Sequence, residues 1–444
     1  MVKVVRNLIE ERKILELSEY FQDLNPVDIA KDMIYLKDEE AVLAFRILPK
    51  DMAVEVFSYL DKEMKQNIIQ LITDNEIKDI IDKLFLDDTV DFIEELPSHI
   101  VKKVLKNTSK EKRELINQFL KYDENSAGSI MTIEFLDLKE SMTVKEAINY
   151  IRYECSKKED VDTCFIIDKN RKLKGTLPLK QLILKNEDDV LENIMDKNII
   201  STKTIEDREI VASDFKKYDL TCMPVVDIEN RLVGIITVDD IIDIIDQENT
   251  EDIQRMAAMH PNEKPYLKTP VTELAKNRVI WLLVLMISAT ITGSIIKQFD
   301  DVLQSVVILA AFIPMLMDTG GNAGSQSSTL VIRGLALGDI KIKDYLKVMW
   351  KEFRVSLIVA IILSTVNFLR IYLLEKTDLM ITLTVSGSLF FTVIIAKVVG
   401  SLLPIIAKKL KLDPAIMASP LITTIVDAFA LIIYFSFAKL LLGI

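Results

Sequence analysis

The sequence predicts a multidomain membrane protein: an α-helical domain built as an irregular superhelix, a pair of small α+β units, a connecting helix and five transmembrane helices. Three observations carry this. Charge and glycine divide the 444-residue chain: residues 277–444 hold 15 Lys+Arg against 10 Asp+Glu and nine of the twelve glycines, whereas residues 1–276 hold 40 basic and 57 acidic residues. A strand-turn-strand pattern recurs at a spacing of 59 residues between these parts. The last apolar stretch, Ile416 to Leu442, is long enough to span a bilayer yet carries a carboxylate, Asp427, near its middle.

The helical domain occupies 1–125. Apolar and charged positions alternate there at helical spacing, as in LPKDMAVEVFSYLDKEMKQNIIQLI, and Pro26, Pro49 and Pro97 punctuate short helices. KYDENSAGSIMT (121–132) breaks the period. The paired units then fill 126–248. In the first, TCFIID ends at Asp168 and KNRKLKG reaches Gly175; in the second, PVVD ends at Asp227 and IENRLVG reaches Gly234. Each runs onward from strand into helix and is preceded by a helix, which gives two β-α-β-β-α units. A long acidic helix at about 239–259 leads into a linker containing Pro265 and Pro270, so that 249–276 connects the halves.

Residues 277–444 contain five apolar segments, at about 279–297, 302–332, 350–374, 380–407 and 416–442. The second is interrupted by MLMDTGGNAGSQSSTLVIRG (315–334), whose Gly320, Gly321 and Gly324 permit close helix approach or local unwinding. Lys and Arg are concentrated in the 2–3 and 4–5 connections, which places the N-terminus inside and the C-terminus outside. An acid at the depth of Asp427 serves an ion path or an intramembrane ion pair, and Lys397 in the fourth segment is the candidate partner for the pair. Five segments are few to enclose a water-filled path. A two-fold homodimer would set two copies of Asp427 about one axis, a good site for hydrated Mg2+.

Composition excludes several classes. The strong acidity of 1–276 argues against nucleic acid and against docking on anionic lipid. Cys155, Cys164 and Cys222 are odd in number and lack CxxC spacing, and with only His99 and His260 the donor set suits a hard cation better than zinc or copper. The charged N-terminus has no signal-peptide core, so the first half is expected in the cytosol and the second in the plasma (inner) membrane. No catalytic constellation appears, and 320–324 lacks the P-loop pattern, so the chain reads as a transporter without an enzymatic motor.

The paired units resemble tandem CBS domains. The second copy keeps Gly-Ile-Ile-Thr-Val-Asp-Asp from Gly234 to Asp240, in which the Thr237 and Asp240 positions of that family hold an adenine nucleotide such as ATP; the first copy, with Pro178 and Gln181 in these places, has lost it. At most one typical nucleotide site is implied. Taken with YDENSAGSIMT, the acidic helix, DTGGNAGSQSSTL and DPAIMASPLITTIVDAFALIIY, in this order, the whole chain resembles the MgtE family of magnesium channels. The resemblance implies a homodimeric Mg2+-selective channel whose acidic helix acts as a plug. Asp427 maps to its pore ion site and Asp413 to the cytosolic mouth. Asn322, Ser325, Gln326, Ser419 and Thr423 are expected to line the pore, with Ser325 and Ser419 standing where the family often has Asn. The acids implied for Mg2+ sensing are Glu55, Asp87 and Asp91 in the helical domain, Asp207, Glu209, Asp219, Asp240 and Asp243 in and near the second CBS unit, and Glu248, Glu251 and Asp252 on the plug helix.

Charge repulsion supplies a switch. Glu248 and Asp252 stand four apart on the helix, as do Asp239 and Asp243, and like charges at this spacing repel. Cations that bridge this face to other acids favour a packed, closed state, provided they bind it better than the open one. Two other readings stay open on the sequence: an ion-coupled divalent-cation antiporter, and a nucleotide-sensing CBS receptor that transports nothing.

Overall fold

The computed structural model describes every residue except Met1, Glu95, Ser156, Lys157, Glu263, Pro265, Lys268, Ala418 and Ile444, together with all side chains but those of these residues and of Val2, Lys3 and Ser419. The chain folds as two compact units, Met1–Ile245 and Asp246–Ile444.

The first unit begins with ten short helices among the described residues, from Val2–Glu10 to Lys110–Phe119. Local chemistry sets their ends. Asp61 caps a helix by accepting from the Met64 amide at 2.9 Å, and Thr73 with Glu76 forms a capping box. Pro26 takes the first helical turn, and Pro49 and Pro97 occupy N-caps, where a missing amide proton costs nothing. Phe57 packs edge-on to Phe92 with centroids 5.1 Å apart, and both are buried.

Two three-stranded sheets follow. In the first, β1 (Phe135–Lys139) lies parallel to β2 (Asp160–Ile167), which is antiparallel to β3 (Leu173–Pro178). The second repeats this with β4 (Thr202–Lys203), β5 (Cys222–Val226) and β6 (Leu232–Thr237). The sequence repeat is thus a structural one, down to its turns. Asp168 accepts from the amides of Asn170 and Lys172 at 2.7 and 3.0 Å, and Asp227 from those of Glu229 and Arg231 at 2.8 Å each. Arg171 and Asn230 both adopt φ 64° in these turns. Phe135, Phe165, Cys222 and Ile235 join the two sheets in one apolar cluster.

The helical domain shares a single core with the second α+β unit: Phe57, Ile81 and Phe92 belong to the same buried cluster as Phe215, Val225, Ile236 and Ile241. The 121–132 segment knits this junction, since Ala127 and Gly128 donate to the carbonyls of Glu206 and Thr204. The acidic helix spans Val238–Met256.

The second unit contains five helical segments long and apolar enough to cross a membrane: Val271–Gln298, Val307–Ala336, Ile342–Leu374, Leu379–Lys409 and Pro414–Leu442, termed spans 1 to 5. Of the two readings left open for the span 2 glycines, local unwinding does not occur, because Ile313–Ala336 is one unbroken α-helix. Its irregularity lies earlier, in a 3-10 stretch at Val307–Phe312. The glycines serve close approach instead. Gly320 lies against Thr392 and Val426, Gly321 against Thr423, and Gly324 against Ile422 and the Ala396 carbonyl. Span 2 therefore runs parallel to span 4 and antiparallel to span 5, and it touches both. At Gly400 of span 4 an added Cβ would fall on the Gly324 carbonyl.

That contact makes a prediction. Gly400→Ala must push spans 2 and 4 apart and should destabilise the folded membrane unit by about 1–3 kcal/mol. A lower melting temperature of the purified protein in detergent would register it; an unchanged one would show that the backbones do not approach so closely.

Candidate metal and ion sites

In the first unit the repeat and the helical domain bring three carboxylates together. Asp87 lies in the helix Leu86–Glu94, Glu159 precedes β2, and Asp240 sits in the first turn of the Val238–Met256 helix. One oxygen from each lies within 4.8 Å of the others. Asp87 is buried, and its Oδ1 and the Glu159 Oε2 have no hydrogen-bond partner among the described residues. Thr237 donates to Asp240 at 2.7 Å and orients it.

The electrostatics are those of an acid cluster short of cations. Burial, then Glu159, Asp240 and Asp88, hold the Asp87 carboxyl well above its ordinary range. Burial raises Glu159 to about 8, with Asp240, Asp239 and Asp88 adding to the rise and Thr132 opposing it. Asp240 rises to about 6 through burial, with Asp239 and Asp88 adding and the Thr237 hydrogen bond opposing. Lys112 feels Asp87 and Asp88, yet its ammonium goes to the carbonyls of Ile81 and Leu84. The donor set is all oxygen, two of its atoms are buried without a hydrogen-bond partner, and no cation pairs with it among the described residues, which is chemistry that fits Mg2+.

Of the other acids expected to sense Mg2+, Asp91 stands exposed on the same helix as Asp87, and Asp88 adds to its repulsion. Glu55, Asp219 and Asp243 are exposed, and Asp219 forms the left-handed C-cap of Arg208–Tyr218. Asp207 caps the same helix by accepting from the Glu209 amide at 2.8 Å, so its carboxylate and the exposed Glu209 serve a helix end. None of these joins the trio among the described residues. Glu159 is the member that sequence reasoning missed: it precedes a strand, and no spacing rule ties it to Asp87, 72 positions earlier.

The second unit holds a cluster at the end of the acidic helix. The Arg255 guanidinium bridges Glu251 on its own helix and Asp413 in the DPA turn. Asp413 also accepts from the Ala415 amide at 2.7 Å. Burial pushes Asp252 up to about 6, with Asp413, Glu248 and Glu251 adding and Arg255 opposing. Asp252 thus feels Glu248 and Glu251 on its own helix and Asp413 in the DPA turn, with Arg255 as a cation among them.

In the membrane helices Asp427 is half-buried on span 5, one turn beyond Thr423. The Gly321–Thr423 contact fixes the register of spans 2 and 5. One turn before Gly321 on span 2 stands Asp318, the charged neighbour that acts on Asp427. Asp318, Asn322 and Gln326 are exposed along span 2, and Ser325 is partly buried beside them. Asp318 was legible by the same argument as Asp427, an acid within an apolar segment, and was passed over. The Ser419 side chain lies outside the described residues. Lys397 does not partner Asp427. Its Nζ reaches Ser327 Oγ at 3.4 Å, because its position on span 4 faces the other side of span 2.

Comparison with known proteins agrees with this layout. Family models match residues 24–125 (MgtE intracellular N domain), 191–247 (CBS domain) and 313–437 (MgtE, divalent cation transporter). The chain is 33% identical over 444 residues to the magnesium transporter MgtE of Thermus thermophilus, covering 99% of this chain and 98% of that protein. It is 30% identical over 431 residues to the magnesium transporter MgtE of Bacillus subtilis, covering 97% and 95%. A solved structure, the cytosolic domain of the Mg2+ channel MgtE in complex with ATP, superposes with a TM-score of 0.53 at 29% identity, over 55% of this chain and all of that one. With these relatives matched over nearly the whole chain, and with its helical domain, CBS pair and five apolar membrane helices, the chain belongs to the MgtE family of magnesium transporters.

Proposed function

We propose that the protein is a Mg2+ channel of the plasma membrane, assembled as a homodimer, and that cytosolic Mg2+ closes it by binding the acid clusters. The observation that carries this is the polar face of span 2. Asp318, Asn322 and Gln326 are exposed there at the level of an apolar segment, beside Asp427 of span 5. Lipid cannot satisfy such a face, whereas a water-filled path between two copies can. Asp427 would then hold hydrated Mg2+, and Asn322, Ser325, Gln326, Ser419 and Thr423 would order its waters. Flow would be downhill: a negative-inside potential is worth about 4.6 kcal/mol per 100 mV for a divalent ion. Basic connections at Lys341, Lys343, Lys408 and Lys409 support an N-inside, C-outside orientation.

For gating, Asp87, Glu159 and Asp240 supply the best-formed oxygen site, and Asp240 lies on the helix that also carries Glu248, Glu251 and Asp252. Mg2+ at the trio would favour the compact state of the first unit, and the helix would carry that bias toward Asp413. Asp91 adds negative charge beside the trio, and Glu55, Asp207, Glu209, Asp219 and Asp243 would act as weaker outer sites. ATP binding at Thr237 and Asp240 is supported by the ATP-bound relative; nucleotide and metal would then share Asp240.

Reconstituted in liposomes, the protein should take up Mg2+ down its gradient, and Asp427→Ala should remove the uptake. Normal uptake by that variant, or uptake coupled to counterflow of H+ or Na+, would sink the channel reading. Asp318→Asn should leave Asp427 as the ion site while lowering the flux severalfold, since a second carboxylate at the same depth helps concentrate cations.

The acid trio makes a pH prediction with a definite sign. Its folded-state pKa values are raised, so the stability these groups contribute is present at low pH and lost as pH rises through about 6 for Asp240 and about 8 for Glu159. In chelator the melting temperature should fall between pH 6 and pH 8.5. Mg2+ at a hundredfold excess over its Kd should restore roughly 2.7 kcal/mol, more visibly at the higher pH, and Glu159→Gln should blunt the restoration. A Mg2+ response unchanged in Glu159→Gln would remove that residue from the site.

A further inference from the structure

Span 2 carries two adjacent buried hydroxyls that point to different neighbours. Ser327 donates to Glu352 Oε2 of span 3 at 2.7 Å, and so offers its oxygen to the ammonium of Lys397 on span 4, 3.4 Å away. Lys397 is 4% exposed and Ser327 fully buried. Ser328, one residue on, donates to the Met417 carbonyl at 3.0 Å, in the turn that opens span 5. A buried ammonium in a membrane helix is costly unless it is paired. Here a carboxylate balances it through one hydroxyl, and the three groups come from three helices.

We propose that Lys397, Ser327 and Glu352 form a rotational pin for span 2, making Lys397 and Glu352 positioning residues for ion passage. The inference rests on the channel reading above. Successive residues of an α-helix are turned by about 100°, so a one-residue slip replaces each face with its neighbour's. With Ser327 held toward spans 3 and 4 and Ser328 toward the start of span 5, the remaining face of span 2 is the one bearing Asp318, Asn322 and Gln326. Turning the helix would take that face away from Asp427. The pin is therefore what places the polar stripe in the path, although none of its members need touch the ion.

Charge balance gives the pin a signature that mere packing lacks. Lys397→Met leaves Glu352 uncompensated, and Glu352→Gln leaves Lys397 so; the double variant leaves neither. Mg2+ uptake and its preference over Ca2+ should be measured in liposomes for the wild type, each single variant, the double variant, Lys397→Arg and Ser327→Ala. Each charge-removing single variant should lose about tenfold in uptake at equal reconstituted amount, with weakened preference for Mg2+. The double variant should recover to within about threefold with the preference restored. Lys397→Arg should keep both, and Ser327→Ala, which removes the bridge without changing a charge, should lose preference. Wild-type uptake and preference in Lys397→Met would overturn the pin, and so would a double variant no better than the worse single one. Should Lys397→Met fail to insert, the double variant and Ser327→Ala decide the matter. A wild-type protein that passes no Mg2+ overturns the channel reading instead, which separates the two failures.

Discussion

Negative charge brought together from separate elements is the constraint around which both units are built. In the first unit Asp87, Glu159 and Asp240 are folded against one another, and burial, with neighbouring carboxylates adding to it, raises the pKa of each, while the nearby Lys112 donates to the carbonyls of Ile81 and Leu84. In the membrane helices Asp427 and Asp318 share a level on opposed helices. Such arrangements cost free energy in the absence of a mobile cation, and that cost is what couples conformation to cation concentration. The protein spends its resident positive charges selectively. Arg255 sits within the cluster at the end of the acidic helix, and Lys397 balances Glu352 in the membrane, but neither is set against the trio or against Asp427.

Backbone proximity makes the membrane arrangement feasible. Gly320, Gly321 and Gly324 let the side chains of Thr392, Val426, Thr423 and Ile422 come down onto the backbone of span 2, and Gly400 lets span 4 meet it backbone to backbone. Helices packed so closely have few rotational settings, and hydroxyls at Ser327 and Ser328 select among them. Small residues thus provide contact, and polar ones provide direction.

Much of this was legible in the chain. The helical domain, the 59-residue repeat and five apolar segments followed from period, proline placement and length, all of which are local properties. Residues gathered from distant elements were not. Asp87 meets Asp240 through the core that the helical domain shares with the second CBS unit, and Glu159 comes to them from the first CBS unit, whose sheet joins the second in one apolar cluster; neither contact has a period to announce it. That Lys397 faces Ser327 and not Asp427 lies outside sequence reasoning, because sequence gives a helix's composition without its rotation, and for the same reason nothing in the order of residues ties Glu352 of span 3 to this hydroxyl. The glycines of span 2 read equally as a break or a seam, and only the neighbouring Thr392, Val426 and Thr423 decide for the seam.

The two CBS copies show how duplication separates scaffold from chemistry. Asp168 and Asp227 hold the same turn through main-chain amides, and Gly175 and Gly234 admit the side chains of Met195 and Met131 at matching places. These positions answer to the fold alone, so both copies retain them. Where the second copy has Thr237 and Asp240, the first has Pro178 and Gln181. The first copy serves the second as a support: it supplies the other half of a shared apolar interface, and it lends the acid trio Glu159 from just before its own central strand.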